Sequence, residues 1–170
     1  MLFSKKADHR PFKKLKLHNM DAFIKMGNQE KVDLGDYVLY FKKKYPKAEI
    51  YIGCDSQNFS RHTVYVSTVL FRFHQNGAHV IYRKEKIKKI RALWPRLWGE
   101  LERSVELASF LREACGIPVK QIDLDYNKNP DFPSFKVYKA AVGYAESMGF
   151  TAKAKPDLLF ATSAANFLCH

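Results

Sequence analysis

Acidic side chains lie at the ends of two predicted strands. Asp55 follows the strand that begins at Glu49, and Asp123 and Asp125 lie at the end of the strand that begins at Val119. These strands are expected to be parallel neighbours, so their carboxylates should meet at one edge of the sheet. Clustered carboxylate oxygens are the ligands that Mg²⁺ and Mn²⁺ prefer. The spacing therefore predicts a divalent-metal site at this edge.

Another acidic residue, Glu100, lies in the helix predicted between those two strands. At about 100° per residue, Glu100 falls on the apolar stripe of Leu97 and Leu101, whereas Glu102 and Glu106 face away. Burying a glutamate is costly unless it is paired or binds a cation. We therefore predict that Glu100 turns toward the other carboxylates. The alternative is a position on the rim of the helix's buried face.

Converging carboxylates repel one another, and divalent cations relieve that repulsion. Two such ions about 4 Å apart can activate water and stabilise the leaving oxygen of a phosphodiester. The predicted catalytic and metal-binding residues are Asp55, Glu100 and Asp125, with Mg²⁺ or Mn²⁺ as cofactor. Asp123 is a possible substitute ligand, and Asp157, after the last predicted strand, is a further candidate. A turn or a helix cap is the simpler interpretation of each of these aspartates.

The net charge of +12 is concentrated in two segments. Residues 1–48 carry +7 and residues 81–96 carry +6, so the rest of the chain is close to neutral. Such segments favour a polyanionic partner, with nucleic acid ahead of an anionic membrane surface. A solvated, solubilising surface is the alternative. The predicted nucleic-acid-binding residues are Lys13, Lys14, Lys16, Lys84, Lys86, Lys88, Lys89 and Arg91.

Composition excludes several classes of protein. A hydrophobic content of 46% excludes intrinsic disorder, and no apolar run approaches the roughly 18 residues of a membrane span. The first residues lack the apolar core of a secretory signal. Cys54, Cys115 and Cys169 form no CxxC pair, so neither a disulfide framework nor a zinc site is expected. A cytoplasmic protein without a membrane partner is the expectation.

The pattern of the chain predicts an α/β fold. Residues 1–30 are expected to form an irregular basic arm. Ser134 is expected to cap a helix, and Asn76-Gly77 to form a hairpin turn. The predicted helices cover residues 33–44, 95–114, 134–148 and 160–168. The predicted strands cover residues 49–54, 63–74, 79–87, 119–125 and 150–155.

These elements imply a mixed five-stranded sheet flanked by helices. Three antiparallel strands followed by two right-handed crossovers give the spatial order 3-2-1-4-5, in which strand 2 is antiparallel. Residues 49–170 would form this domain, and residues 1–48 would supply the arm and a helix packed on it. Ligands of such sheets bind at the switch point between the first and fourth strands.

Several motifs carry a resemblance to a known family. YIGCDSQ, the run from Arg96 to Ser104, IDLDYN and KPDLLFATSAAN together resemble the YkuK-like family of RNase H-like proteins, which are predicted nucleases, over about residues 45–170. The resemblance implies that Asp55 bridges two metal ions and that Glu100 and Asp125 complete the core. The last carboxylate of the superfamily falls on Asn166, a weaker ligand, and Asp157 is the candidate to replace it.

The leading hypothesis is therefore a metal-dependent nuclease acting on RNA, DNA or a hybrid. The alternative is a nucleic-acid-binding protein that keeps the fold without the chemistry. Mn²⁺-dependent cleavage that is lost on Asp55→Asn would discriminate the two. An actin-like ATPase is disfavoured, because no glycine-rich phosphate loop follows Asp55. The oligomeric state is not indicated by the sequence.

Overall fold

The structure is a computed structural model that describes residues 22–74 and 77–169. The strands are β1 (Phe23–Lys25), β2 (Lys31–Val32), β3 (Glu49–Asn58), β4 (His62–Arg72), β5 (Ala78–Lys88), β6 (Gln121–Asn127) and β7 (Ala152–Lys155). The helices are α1 (Leu34–Lys44), α2 (Leu93–Glu113), α3 (Phe135–Ser147) and α4 (Ala161–Cys169). Within these ranges, no helix is both long and apolar enough to cross a membrane.

The strands form one mixed sheet in the order β2-β1-β5-β4-β3-β6-β7. β3, β4 and β5 are an antiparallel meander, and β6 and β7 run parallel to β3. The predicted order of five strands corresponds to the β5-β4-β3-β6-β7 part of this sheet. The prediction of only five strands was wrong, because β1 and β2 extend the sheet beyond β5.

The first additional strand, β1, lies where an irregular arm was predicted, and β2 lies between that arm and the predicted helix. β1 has three residues and β2 has two, too few to show the alternation of apolar and polar residues that marks a strand. β1 is held by its pairing with β5, in which Ile24 lies opposite Tyr82, and by the fully buried side chain of Phe23. Tertiary contacts, rather than a local pattern, therefore determine these strands.

Helices cover both faces of the sheet. Cross-strand neighbours share a face, so Val66, Tyr82 and Gly53 lie on the face where α4 packs, which we call the α4 face. The opposite face, which we call the α2 face, carries Ile52 and Ile81 and is covered by α1, α2 and α3 around the main hydrophobic core.

Two helix starts differ from the predictions. α2 begins at Leu93 rather than at Pro95, because a proline in the first turn removes an N–H that has no partner within the helix. Ser134 occupies the N-cap position of α3, as predicted, but its side chain makes no capping hydrogen bond. Its Oγ instead accepts a hydrogen bond of 3.0 Å from the backbone N of Asn127. In the predicted hairpin turn, Gly77 has a positive φ of 91°, and Asn76 lies outside the described residues.

Candidate carboxylate site

The ends of β3 and β6 bring the predicted aspartates to the same edge of the sheet. The two strands pair in parallel from Tyr51 opposite Gln121 to Gly53 opposite Asp123. Asp55 and Asp125 each lie two residues beyond that last pair. They therefore occupy equivalent positions on neighbouring strands, at the carboxyl-terminal edge where ligands bind in sheets of this kind.

A cavity of about 350 Å³ opens at this edge, and we call it the carboxylate cavity. It brings together four residues predicted for the metal site, Asp55, Glu100, Asp125 and Asn166. They come from β3, α2, β6 and α4, respectively. The other residues that line it are Ser56, Gln57, Leu93, Arg96, Leu97, Pro133, Ser134 and Cys169.

Glu100 is buried at the base of this site, with only 2% of its surface exposed. Burial raises the pKa of its carboxyl group well above the usual range, and the nearby charges of Asp55 and Asp125 raise it further. A hydrogen bond from Ser56 Oγ to Glu100 Oε1, 2.5 Å long, opposes this rise in pKa. The surroundings of Glu100 thus disfavour a negative charge that no cation balances.

Arg96 lies one helical turn before Glu100 and was missed by the sequence reasoning. Its Nη1 donates to both the backbone oxygen and Oγ of Ser56, each at 2.7 Å. The same nitrogen lies 3.7 Å from Glu100 Oε1. The i,i+4 spacing of Arg96 and Glu100 was the available signal, since residues four apart are neighbours on a helix surface.

Two buried tyrosines fix the part of α2 that carries Glu100. The hydroxyl of Tyr65 donates to the backbone oxygen of Arg96 at 2.9 Å, and that of Tyr126 donates to the oxygen of Leu97 at 2.6 Å. Gly99 permits this approach, because a Cβ there would lie 2.6 Å from the Tyr65 hydroxyl. The helix is therefore tied to β4 and β6 immediately before Glu100.

Asp125 forms an ion pair that the sequence reasoning did not include. Nζ of Lys155, at the end of β7, lies 2.5 Å from Asp125 Oδ1. Lys155 also lines a neighbouring cavity of about 280 Å³, which shares Asp125 and Asn166 with the carboxylate cavity. Lys155 thus supplies a positive charge at the boundary between the two cavities.

Asp123 caps a helix with its side chain. Its Oδ2 accepts hydrogen bonds of 2.6 Å from the backbone N of both Phe160 and Ala161, and its Oδ1 accepts one of 2.6 Å from Gln121. Burial raises the pKa of Asp123, against the effect of these hydrogen bonds. These contacts anchor the start of α4 on β6.

The start of α4 also packs tightly against β3. A Cβ on Gly53 would lie 2.6 Å from the backbone N of Thr162, so only glycine fits there without a shift of the helix. Thr68 Oγ1 donates to the backbone oxygen of Ala161 at 2.8 Å. This fixed position of α4 places the exposed side chain of Asn166 at the carboxylate cavity.

Asp157 lies in the neighbouring cavity. Its Oδ2 accepts a hydrogen bond of 2.6 Å from Nζ of Lys128, and this contact lowers the pKa of Asp157. Asp125 and Asn166 line both this cavity and the carboxylate cavity, whereas Asp157 lines only the first. The structure therefore places Asp157 beside the main group of carboxylates rather than within it.

The donor set matches a hard divalent cation in type, since it consists of carboxylate and amide oxygens. The pKa of Glu100 is raised by its burial and, to a lesser degree, by two neighbouring carboxylates, and this arrangement suits a cation that would balance the negative charge. Across residues 22–74 and 77–169, however, no group of three or more His, Cys, Asp and Glu side chains is arranged to hold a metal ion. The donors share a cavity without forming a finished coordination shell.

Three of the predicted basic residues lie on one face of the sheet. Lys84, Lys86 and Lys88 are exposed on the α4 face, and we call them the lysine row. Lys84 lies opposite Val66, which in turn lies opposite Asp55, so the lysine row and the Asp55 carboxylate share a face of the sheet. Two strand spacings separate their backbones, a distance of about 10 Å.

The remaining predicted cations lie at the end of β5 or beyond the described chain. Arg91 is exposed. Lys89 is half-buried and donates to the backbone oxygen of Ser60 at 3.4 Å. The predicted residues Lys13, Lys14 and Lys16 lie outside the described residues.

Comparison with known proteins agrees with this architecture. A family model described as ribonuclease H-like matches residues 35–169, which is most of the chain. Proteins of this family typically use divalent metal ions. No curated protein and no solved structure matches the chain. The extent of the family match shows that the chain belongs to the ribonuclease H-like family.

Proposed function

We propose that this protein is a metal-dependent nuclease that hydrolyses phosphodiester bonds in RNA, DNA or a hybrid of the two. The observation that carries the proposal is the shared cavity of Asp55, Glu100 and Asp125, which three separate elements supply in a ribonuclease H-like chain. Carboxylates gathered in this way suit divalent-metal chemistry on phosphate esters.

Asp55, Glu100 and Asp125 would hold Mg²⁺ or Mn²⁺, and Asn166 would add a neutral oxygen. When bound, the metal supplies Lewis-acid activation of water and stabilises the leaving oxygen. Lys155 balances the charge of Asp125 when no metal ion is bound. Its side chain is about half exposed, so its ammonium group can turn into solvent when a metal ion binds Asp125. Arg96 and Ser56 hold the carboxyl group of Glu100 in place.

The lysine row would bind the phosphate backbone. It lies on the same face of the sheet as Asp55, two strands away, so its charge would attract a polyanion to this side of the carboxylate cavity. Contacts of this kind do not depend on base sequence and weaken with added salt. On the motifs given above, we also assign the chain to the YkuK-like group of the family. Its three free cysteines favour action in the reducing cytoplasm.

A binding protein without hydrolytic activity is the second candidate. Two observations favour it. Lys155 and Arg96 already supply positive charge to Asp125 and Glu100. Asn166 also offers one negative charge fewer than a carboxylate at that position would.

The test is cleavage of labelled single-stranded RNA, single-stranded DNA and an RNA–DNA hybrid by the full chain, with Mn²⁺, with Mg²⁺ or with a chelator. We expect cleavage with Mn²⁺, its loss with the chelator, and its loss in Asp55→Asn and Glu100→Gln. Glu102→Gln is the matched control, because Glu102 is an exposed residue of the same helix. Cleavage that persists in Asp55→Asn, or that ignores the chelator, would rule out the proposed site.

A further inference from the structure

Exposed aromatic and basic side chains lie in two segments that also supply residues to the carboxylate cavity, the turn after β3 and the stretch from the end of β5 into α2. Trp94 is 45% exposed and Phe59 is 37% exposed. Lys88, the last residue of β5, and Arg91, in the segment that joins β5 to α2, are exposed cations that precede Trp94 in the chain. We call Phe59, Lys88, Arg91 and Trp94 the aromatic–basic rim.

The exposed indole ring of Trp94 is held in position by stacking against a second ring. It stacks on Trp98, one helical turn later, with ring centroids 4.9 Å apart and planes at 9°. Trp98 in turn contacts Tyr144 of α3, with centroids 5.6 Å apart. One face of Trp94 is therefore supported from within the protein. A fixed indole that is left in water is typical of an interaction surface.

Phe59 forms a similar pair on the other side of the cations. Its ring stacks on His62 with centroids 4.9 Å apart and planes at 14°. The turn that carries it is tied to the basic segment, because Asn58 Nδ2 donates to the backbone oxygen of Ile90 at 2.9 Å. Both rings are thus supported by a second ring, and the turn that carries Phe59 is joined to the segment that carries Arg91.

Residues close in sequence to each of the two aromatic side chains line the carboxylate cavity. Leu93 and Arg96, which flank Trp94 in the first turns of α2, line that cavity. Gln57, two residues before Phe59, lines it as well. A ligand held by either aromatic side chain therefore lies close to the carboxylate cavity.

We infer that the aromatic–basic rim binds single-stranded nucleic acid. Unpaired bases stack on Trp94 and Phe59, while Lys88 and Arg91 contact phosphates of the same strand. Stacking surfaces combined with cations are the features that bind single strands, since every base has a flat face. A duplex keeps those faces inside its own stack and cannot offer them. The inference rests on the proposed function and names its substrate as a single strand.

The test measures binding in a chelator, so that no metal-dependent cleavage occurs. Full-length protein is titrated into a labelled oligothymidine of about 12 nucleotides, a size suited to such sites, and into a duplex of the same length. We expect tighter binding of the single strand and quenching of tryptophan fluorescence, which arises only from Trp94 and Trp98.

Variants separate stacking from charge. Trp94→Ala is expected to weaken single-strand binding about 5- to 150-fold, the range for the loss of one base stack, and Trp94→Phe to retain most of it. Phe59→Ala is a second, independent variant. Tyr40→Ala is the matched control, because Tyr40 is 58% exposed on α1, outside the rim. Circular dichroism of each variant shows that the fold is kept.

Several outcomes would overturn the inference: no binding at low salt, a preference for duplex, or equal losses in Trp94→Ala and Tyr40→Ala. Single-strand binding that depends on Trp94, without any cleavage, supports the inference and removes the nuclease proposal instead. Cleavage that needs Asp55 but is unaffected by both Trp94→Ala and Phe59→Ala would support the nuclease proposal and contradict single-strand binding at the aromatic–basic rim.

Discussion

Ser56 Oγ and Glu100 Oε1 lie 2.5 Å apart, and this hydrogen bond joins the side chains of β3 and α2 beside Asp55. Ser56 follows Asp55, and successive strand residues face opposite sides of the sheet. Asp55 therefore belongs to the α4 face while Ser56 belongs to the α2 face, where it meets Glu100. The cavity at the end of β3 is thus built from both sides of one sheet.

Glu100→Gln is expected to change how stability depends on pH. The folded-state pKa of Glu100 is raised, so its protonated form stabilises the protein below the unfolded pKa, and that contribution is lost as pH rises through the folded pKa. Gln stays neutral. As pH rises above about 4.5, the free energy of unfolding of the variant should therefore increase relative to that of the wild type.

Urea unfolding in chelator at several pH values measures this difference. Glu102→Gln is the control, since its exposed side chain should leave the pH profile unchanged. A constant difference between wild type and Glu100→Gln across the pH range would contradict the raised pKa. Added Mn²⁺ is expected to stabilise the wild type more than the variant, because it binds the folded charged site.

Lys155→Ala is expected to tighten Mn²⁺ binding. The ammonium group 2.5 Å from Asp125 competes with any cation for that carboxylate. An exposed ion pair contributes at most about 1 kcal/mol, so the gain in affinity should reach up to about fivefold, with a similarly small loss of stability. Isothermal titration measures it. Lys153→Ala, an exposed lysine on the same strand, is the control. Unchanged affinity in Lys155→Ala would mean that Asp125 is not a ligand.

Asn166→Asp is expected to raise both metal affinity and turnover. The substitution adds a charged oxygen at the cavity without a change of size, and Mg²⁺ is held mainly by carboxylates. Asp157→Asn is the matched comparison, and we expect it to leave metal affinity unchanged, because Asp157 pairs with Lys128 in the neighbouring cavity. A loss of affinity in Asp157→Asn would instead assign Asp157 to the site.

Gly53→Ala is expected to destabilise the protein by about 1–3 kcal/mol, the usual cost of forcing extra atoms into a packed core. The added Cβ would meet the backbone N of Thr162, which cannot rotate away. Gly143→Ala is the control, and its expected effect on stability is the opposite. A Cβ there meets nothing within 4 Å, so helix propensity should stabilise the protein by about 1 kcal/mol. Chemical unfolding of both variants decides whether α4 is held at Gly53.

The parts of the site that follow from local periodicity were predictable. The position of Glu100 on the buried stripe of α2 follows from helix geometry, and the approach of Asp55 to Asp125 follows from crossover handedness. The ion pair of Lys155 was not predictable. It depends on the register of β6 and β7, which shifts between Leu124 and Asn127. No local pattern encodes such an irregularity.

The cap formed by Asp123 also depends on tertiary structure. Its partners, the backbone N–H groups of Phe160 and Ala161, lie almost forty residues away in sequence. From sequence alone, an aspartate at a strand end is equally compatible with a ligand and with a cap. Only the position of α4 distinguishes Asp123 from Asp125.

The lysine row also has a consequence for self-association. Among the described strands, β1 pairs with β5 at Ile81 and Tyr82, and no described strand pairs with residues 83–88 on that side. Such an edge is a template for adding a strand from a second molecule, and lysines on an edge strand oppose this. Replacing Lys84, Lys86 and Lys88 together would therefore promote aggregation as well as weaken phosphate contacts.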